Sequence, residues 1–468
     1  MKPSNPFFAL LSAFFSFLLF PPVLSASQTR VAATGGLGTL LEDETADLNL
    51  YLDGNPAGLL YLNTKDRLDL SGEWSSSDQE GPWGSERTTV LSSFPNALET
   101  IPSYGGVMVF PDPHWAFQAS GGVLSRQGFS APDLLADDQD LTRYLGILRG
   151  SYAAPFACLG MELAGIQTDK SYALGSYDPD DQVLAGSSAQ GSTRLKLGVA
   201  ATFPDRYTAD QTRFRVGVLW GTSLGDPAET RTFRIEPLSP PAIGVTQVWA
   251  TRGSVEWGGE ATMEVPGILK MMLDVHEEDA SMEMTQTSTA PVTLTTSGPA
   301  PPFRTGNLGV DWNFKWTVAG LETEDLKLGG GLSYFRDSTT DANSAPGPYE
   351  EFATRLGVGL DSPRDHLVGV QWTGIRTLSG LDRSQIAFGG EKWISSTWAL
   401  RLGLTGEIDH SDGASYETLD TVLDMGAGLQ EVFGRVDLRL RLGQTVNMSD
   451  SSDTIGLMEG QVSGTLFI

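Results

Sequence analysis

Few side chains in this sequence stand where a covalent reaction would need them. Cys158 is the sole cysteine, and the four histidines, His114, His276, His366 and His410, are scattered along the chain. One thiol makes neither an intrachain disulfide nor a thiolate zinc cage, and no two histidines lie at metal-ligand spacing. Gly221-Thr222-Ser223-Leu224-Gly225 has the letters of a nucleophile elbow. That motif works on a strand-to-helix turn, and no helical pattern follows it. His410, beside Asp409 and near Asp412, is the one loop position that imitates the Asp/His sets of barrel-embedded hydrolases. The expectation is no enzyme, no cofactor and no metal. Charge chemistry is better represented, by Arg194, Lys196, Arg213, Arg215, Arg401, Arg435, Arg439 and Arg441. These form either a basic strip that attracts a carboxylate head group or other anion, or a ladder of cations paired across strands with Asp437, Glu407 and Asp409. The ladder is favoured, because buried charges normally have partners.

The elements that position these cations repeat with a period of two. Val436, Leu438, Leu440 and Leu442 alternate with Arg435, Asp437, Arg439 and Arg441, and Trp398, Leu400, Leu402 and Leu404 alternate with Ala399, Arg401, Gly403 and Thr405. Leu195, Leu197 and Val199, then Phe214, Val216, Val218 and Trp220, then Trp312, Phe314, Trp316 and Val318, repeat the pattern. Alternate residues of a strand point to opposite faces, so each segment has one apolar face and one polar or glycine face. A soluble sandwich would also alternate. These segments, however, run about 9–13 residues, which is the length a tilted membrane strand needs. Apolar residues toward lipid and polar residues toward a lumen match a transmembrane barrel, the one sheet with no unpaired edge in hydrocarbon. Counting alternating segments gives 12 to 16 strands. The span 231–300 resists parsing, because Arg231 to Ile235, Ser254 to Val265 and Ile268 to Val275 read as three strands or as two with a bulge.

Composition agrees. Of 468 residues, 31 are basic and 58 acidic, for a charge of −27. Such a chain repels a phosphate backbone, so nucleic acid is excluded as a partner. The 54 glycines exceed the usual ~7%. Lys2 followed by the apolar run from Pro6 to Phe20 reads as a secretory signal, too short to span a bilayer before Pro21-Pro22. The expected organisation is a signal over 1–26, a plug-like segment over 27–64 and a barrel over 65–468. Short returns follow Asp361, Trp393 and Leu429, whereas 75–87, 178–192 and 285–302 read as external loops. Trp393 and Trp398 bracket one short turn, as a membrane girdle would. The last strand alternates Met458, Gly460, Val462, Gly464, Leu466 and Ile468 with polar residues, which resembles the carboxyl-terminal targeting strand of outer-membrane proteins. Those usually end in an aromatic, and here Phe467 comes one place early.

The most specific local signal precedes the first clear strand, Arg67 to Trp74. Gly35-Gly36-Leu37-Gly38-Thr39 is followed by Glu42-Asp43, Asp47 and then Asn55-Pro56-Ala57-Gly58. Pro56 fixes one backbone angle, Asn55 can cap the turn and Gly58 permits close approach to a wall. In that order these features resemble the amino-terminal plug of the outer-membrane long-chain fatty-acid transporter family, and Tyr104-Gly105-Gly106-Val107 is similar to a strand start common there. Asp53-Gly54 stands where the family more often has an aromatic. The resemblance covers 31–115. It implies a barrel of about 14 strands, plugged from inside by residues including Asn55, Pro56, Ala57 and Gly58, that passes hydrophobic small molecules such as long-chain fatty acids without energy input. Its partners would be outer-membrane lipid, a hydrophobic solute and the barrel-assembly machinery. The competing reading is a structural or adhesive outer-membrane barrel that binds through its external loops.

Overall fold

The computed structural model describes residues 27–41, 55–61, 66–78, 103–126, 136–154, 156–174, 176–178, 181–203, 212–224, 228–237, 243–288, 303–319, 324–337, 349–362, 365–377, 381–411, 417–431, 434–447 and 454–467. The period-two segments are strands. In chain order they are β1 (Arg67–Asp78), β2 (Ser103–Asp112), β3 (Trp115–Arg126), β4 (Ala136–Ala153), β5 (Cys158–Leu174), β6 (Ser176–Asp178) and β7 (Asp181–Phe203). Next come β8 (Arg213–Ser223), β9 (Ala228–Pro237), β10 (Ile243–Val265), β11 (Leu269–Ser288), β12 (Phe303–Val318), β13 (Asp325–Asp337) and β14 (Tyr349–Ser362). The rest are β15 (His366–Thr377), β16 (Leu381–Trp393), β17 (Trp398–Ser411), β18 (Glu417–Glu431), β19 (Gly434–Asn447) and β20 (Thr454–Phe467). Ahead of them lie one short helix, α1 (Ser27–Ala33), and a 3-10 turn (Pro56–Tyr61).

All pairings are antiparallel within one sheet, and almost every strand pairs with its sequence neighbour. β6 is a three-residue arm on β7, and β8 and β9 stand end to end between β7 and β10. The twenty strands therefore fill eighteen places. β1 pairs with β20 from Arg67↔Phe467 to Asp78↔Gly456, and with β2 from Arg67↔Met108 to Ser71↔Tyr104. The expected count of about 14, or 12–16, is thus too low. Several strands continue past the stretch in which hydrophobic alternation is visible. β7 begins at Asp181, inside what reads as a loop over 178–192; β1 runs to Asp78 and β11 to Ser288. There the hydrogen-bond ladder persists but the sequence alternation does not. The span 231–300 holds the end of the β8–β9 pair, β10 and β11, with a register shift between Arg252 and Val255.

Polarity is inverted relative to a soluble core. Among the exposed residues are Val216 at 59%, Leu148 at 58%, Leu402 at 57% and Phe388 at 56%, whereas Lys196 and Asp437 are at 0% and Glu256 is at 1%. The register sorts them: outward Leu400, Leu402 and Leu404 alternate with buried Ala399, Arg401, Gly403 and Thr405. No helix among the described residues is long and apolar enough to cross a membrane. On the outer face Trp115 stacks on Phe117 with ring centroids 5.7 Å apart and lies 4.7 Å from Tyr152, near the short turns that join β2 to β3 and β4 to β5. Amphipathic rings at that edge are what a lipid–water boundary selects.

Candidate functional site

The inner face is where function has to reside, and two pieces of the amino-terminal segment lie against it. The first runs from α1 to Leu41. Thr29 shares a hydrogen bond with Ser463 of β20, and Arg30 makes a two-pronged ion pair with Glu391 of β16 at 2.8 Å. Gly35 and Gly36 then turn the chain at φ 75° and 85°, conformations that suit glycine. The Gly35 carbonyl accepts from Thr405, and Thr39 donates to Gln371 through both its amide (3.1 Å) and its hydroxyl (2.7 Å). Lys315 of β12 reaches the Leu41 carbonyl.

Between these contacts the wall presents glycines to this piece. A Cβ on Gly426 would come within 2.5 Å of Ala33, one on Gly389 within 2.0 Å of the Thr34 carbonyl, and one on Gly403 within 2.1 Å of the Gly35 nitrogen. A Cβ on Gly369 would meet Leu40 at 2.4 Å, and on Gly357 and Gly329 it would meet Thr39 at 2.3 and 2.0 Å. These glycines occupy six successive strands, β13 to β18, and Gly369, Gly389 and Gly403 face one another directly. They form a seam on which residues 33–40 lie flush. The sequence reading missed it. Its signal is a set of glycines recurring near the same end of consecutive strands.

The second piece is the Asn55-Pro56-Ala57-Gly58 motif. Asn55 caps its own turn by accepting from the Ala57 amide at 3.0 Å, and its amide donates to the carbonyls of Val199 (3.0 Å) and Val218 (3.1 Å) on β7 and β8. Ser151 of β4 donates to the Pro56 carbonyl. Gly160, Gly198 and Gly217 form the seat; a Cβ on Gly160 would fall 2.1 Å from the Ala57 nitrogen, and one on Gly198 would fall 1.9 Å from the Asn55 oxygen. Ala57, Leu59 and Leu60 pack with Met108, Ala116, Cys158 and Ala200. All nine seat and seam glycines lie within five residues of the short-turn end of their strands. Glu42, Asp43, Asp47, Asp53-Gly54 and the signal segment 1–26 lie outside the described residues.

The eight cations singled out in the sequence lie in two sectors, each beside carboxylates. On β7 and β8, Lys196 and Arg194 approach Glu256 at 2.6 and 3.1 Å, with His276 at 3.6 Å, and Arg215 lies 3.8 Å from Glu260. Arg213 stands in register with Glu264. On the other side Arg401 joins Glu391 (2.6 Å) to Asp437 (2.5 Å), Arg435 meets Asp437 at 2.8 Å and Arg439 meets Asp424 at 2.8 Å. Arg441 is in register with Asp424 and Glu459. Asp437 therefore serves as the sequence suggests. Glu407 accepts from Gln385 at 3.2 Å, and Glu256, Glu391 and Asp424 are partners the reading did not name. Gly221 to Ser223 end β8, and the next described element is a strand, so the elbow letters lack the turn they require. His410 stands near the end of β17, in register with Glu417.

One inner patch breaks the polar rule. Ile147 of β4 is in register with Ala164 of β5, and Leu145 with Ile166, immediately beyond the buried Arg149–Glu162 pair (2.5 Å) on the side away from the motif seat. Leu145, Ile147 and Ala164 are all buried.

An apolar outer face and charged pairs on the inner face decide the architecture. The chain folds as one antiparallel β-sheet with the two faces of an outer-membrane barrel. No protein-family model matches the sequence, and no curated protein matches it. Among solved structures, the CymD monoaromatic hydrocarbon channel is similar over 95% of this chain and 98% of that one, at 11% identity and a TM-score of 0.42. The Ralstonia pickettii toluene transporter TbuX is similar over 94% and 98%, at 12% and 0.39. The ferric yersiniabactin uptake receptor FyuA from Yersinia pestis is similar over 86% and 80%, at 9% and 0.46.

Proposed function

We propose that this protein is a closed outer-membrane barrel, inserted by the barrel-assembly machinery and surrounded by outer-membrane lipid, that admits hydrophobic small molecules passively. Residues 27–61 are its plug. The observation that carries the reading is the amino-terminal segment laid across glycines near the short-turn end, with inward Leu145, Ile147, Ala164 and Ile166 beyond it on the long-loop side. A lumen lined for water has no reason to bury aliphatic side chains, but a passage for apolar solutes does. The paired cations are braces of the wall rather than an anion trap, since each ion-paired arginine or lysine already faces a carboxylate. Long-chain fatty acids are one solute class of suitable chemistry. Cells lacking the protein should grow more slowly on hydrophobic carbon sources and recover when it is restored. Ile147→Glu should recover them poorly, although it assembles. Equal growth of all three strains would sink the transport role.

A further inference from the structure

Resting on the plug reading, we propose that the plug opens by one half only. Residues 27–41 leave the glycine seam while Asn55 to Tyr61 stay seated, and the hydrophobic solute takes the bed vacated by Leu40 and passes along the bared seam.

The wall is built to stand without the mobile half. Glu391 is held by Arg30 and also by Arg401, and Arg401 is held in turn by Asp437, which Arg435 also pairs. When Arg30 departs, Glu391 keeps Arg401, so no buried charge is left uncompensated, the condition under which losing an ion pair is severe. Arg30 is already partly exposed and regains water on leaving. The seam itself offers a corridor. Gly359, Gly369, Gly389 and Gly403 face one another across four neighbouring strands, and at ~4.8 Å between strands that bare strip is on the order of 14 Å wide.

Leu40 explains how a solute would drive the change. Its side chain lies on Gly357, Gly359 and Gly369, where added Cβ atoms would come within 3.2, 3.1 and 2.4 Å of it, and it packs with Leu37 and Ala387. A flat bed that accepts a leucine accepts another apolar group of that size. A solute that binds the bed only when Leu40 is out has the differential affinity needed to shift the equilibrium. The seat of the motif lacks this property. Leaving it would expose Leu59 and Leu60 together with Met108, Ala116 and Cys158, and would strip Asn55 of both wall carbonyls.

The test uses two cross-links in the full chain, read by uptake of the hydrophobic fluorophore N-phenyl-1-naphthylamine into cells. Thr29→Cys with Ser463→Cys, in a Cys158→Ser background, ties α1 to β20 where the two hydroxyls touch. Ala57→Cys opposite native Cys158 ties down the motif within its own cluster. Oxidised, the first lock should bring uptake down to that of cells lacking the protein, with recovery on reduction, and the second should leave uptake unchanged. Full uptake through the first lock, or a block by the second, overturns one-sided opening. Deleting residues 27–61 should raise uptake above wild type. No rise in a barrel that still shifts on gels when boiled would refute the plug itself, separately from how it opens.

Discussion

Gly403→Ala tests the seam with the smallest perturbation available, one methyl group. The added carbon would lie 2.1 Å from the Gly35 nitrogen and 2.6 Å from the Thr34 carbonyl carbon. Ordinary contact is near 3.4 Å, so the segment must lift by roughly 1.3 Å, because backbone cannot rotate away as a side chain tip can. That lift stretches the Thr405 bond to the Gly35 carbonyl, now 3.1 Å. Overpacking of this kind costs about 1–3 kcal/mol, and at ~1.4 kcal/mol per decade the undocked population rises roughly 5- to 150-fold. Single-channel recordings in planar bilayers should show longer open times, and protease added from the short-turn side should cut the amino-terminal segment faster. The control is Gly146→Ala, where a Cβ meets nothing within 4 Å. If Gly403→Ala records like Gly146→Ala and like wild type, residues 33–40 do not lie on the seam and the reasoning fails.

Glu256→Gln leaves Lys196, which is fully buried, without its carboxylate. A barrel destabilised by about 3–5 kcal/mol is expected, read as a lower urea midpoint for unfolding from liposomes, with much of the loss recovered when Lys196→Met is added. Phe388→Arg puts a charge on the outer face of β16 and should cost ~2–4 kcal/mol if that face meets hydrocarbon; an unchanged midpoint would mean the face is not in lipid. Asp365 lies in the turn between β14 and β15, where hydrogen bonds from Lys392 (2.5 Å) and then His366 (2.7 Å) hold its carboxyl below the usual range. A depressed folded value means that the stabilisation is complete above the ordinary aspartate range near 3.9 and fades as pH falls through the folded value. Asp365→Asn should therefore flatten the acid side of the stability profile and leave its neutral side little changed. An acid limb of the same slope in both proteins would show that the turn contributes nothing.

The outer face was fully legible because lipid imposes one rule on every crossing strand. Trp398, Leu400, Leu402 and Leu404 announce their direction without any knowledge of neighbours. The strand count was not, because β7 from Asp181 and β10 from Ile243 begin outside the alternating stretch. The Asn-Pro-Ala-Gly turn was visible as a turn, since Asn55 caps itself within two residues. Its seat was not visible, because Gly160, Gly198 and Gly217 come together only through the register of three strands. The ion pairs were half visible. Alternation put Arg401 and Asp437 on one face, but Glu391 and Glu256 emerged as hubs only once distant strands were side by side, and Arg30 required knowing that the amino-terminal helix turns inward.

The nine seat and seam glycines argue that the segment is there to close something rather than to fill space. A glycine inside a strand is less stable than alanine by roughly 0.5–1 kcal/mol, so nine of them forgo on the order of 5–9 kcal/mol. That is comparable to the whole stability of a typical domain. A segment that merely packed the lumen would rest equally well on alanines a little farther from the wall, and the strands would be stronger. Backbone against backbone leaves no gap for solute, and it leaves a smooth bed once the segment lifts. The seat and seam glycines stand near the short-turn end of their strands, which is where a seal between the lumen and the far side has to be.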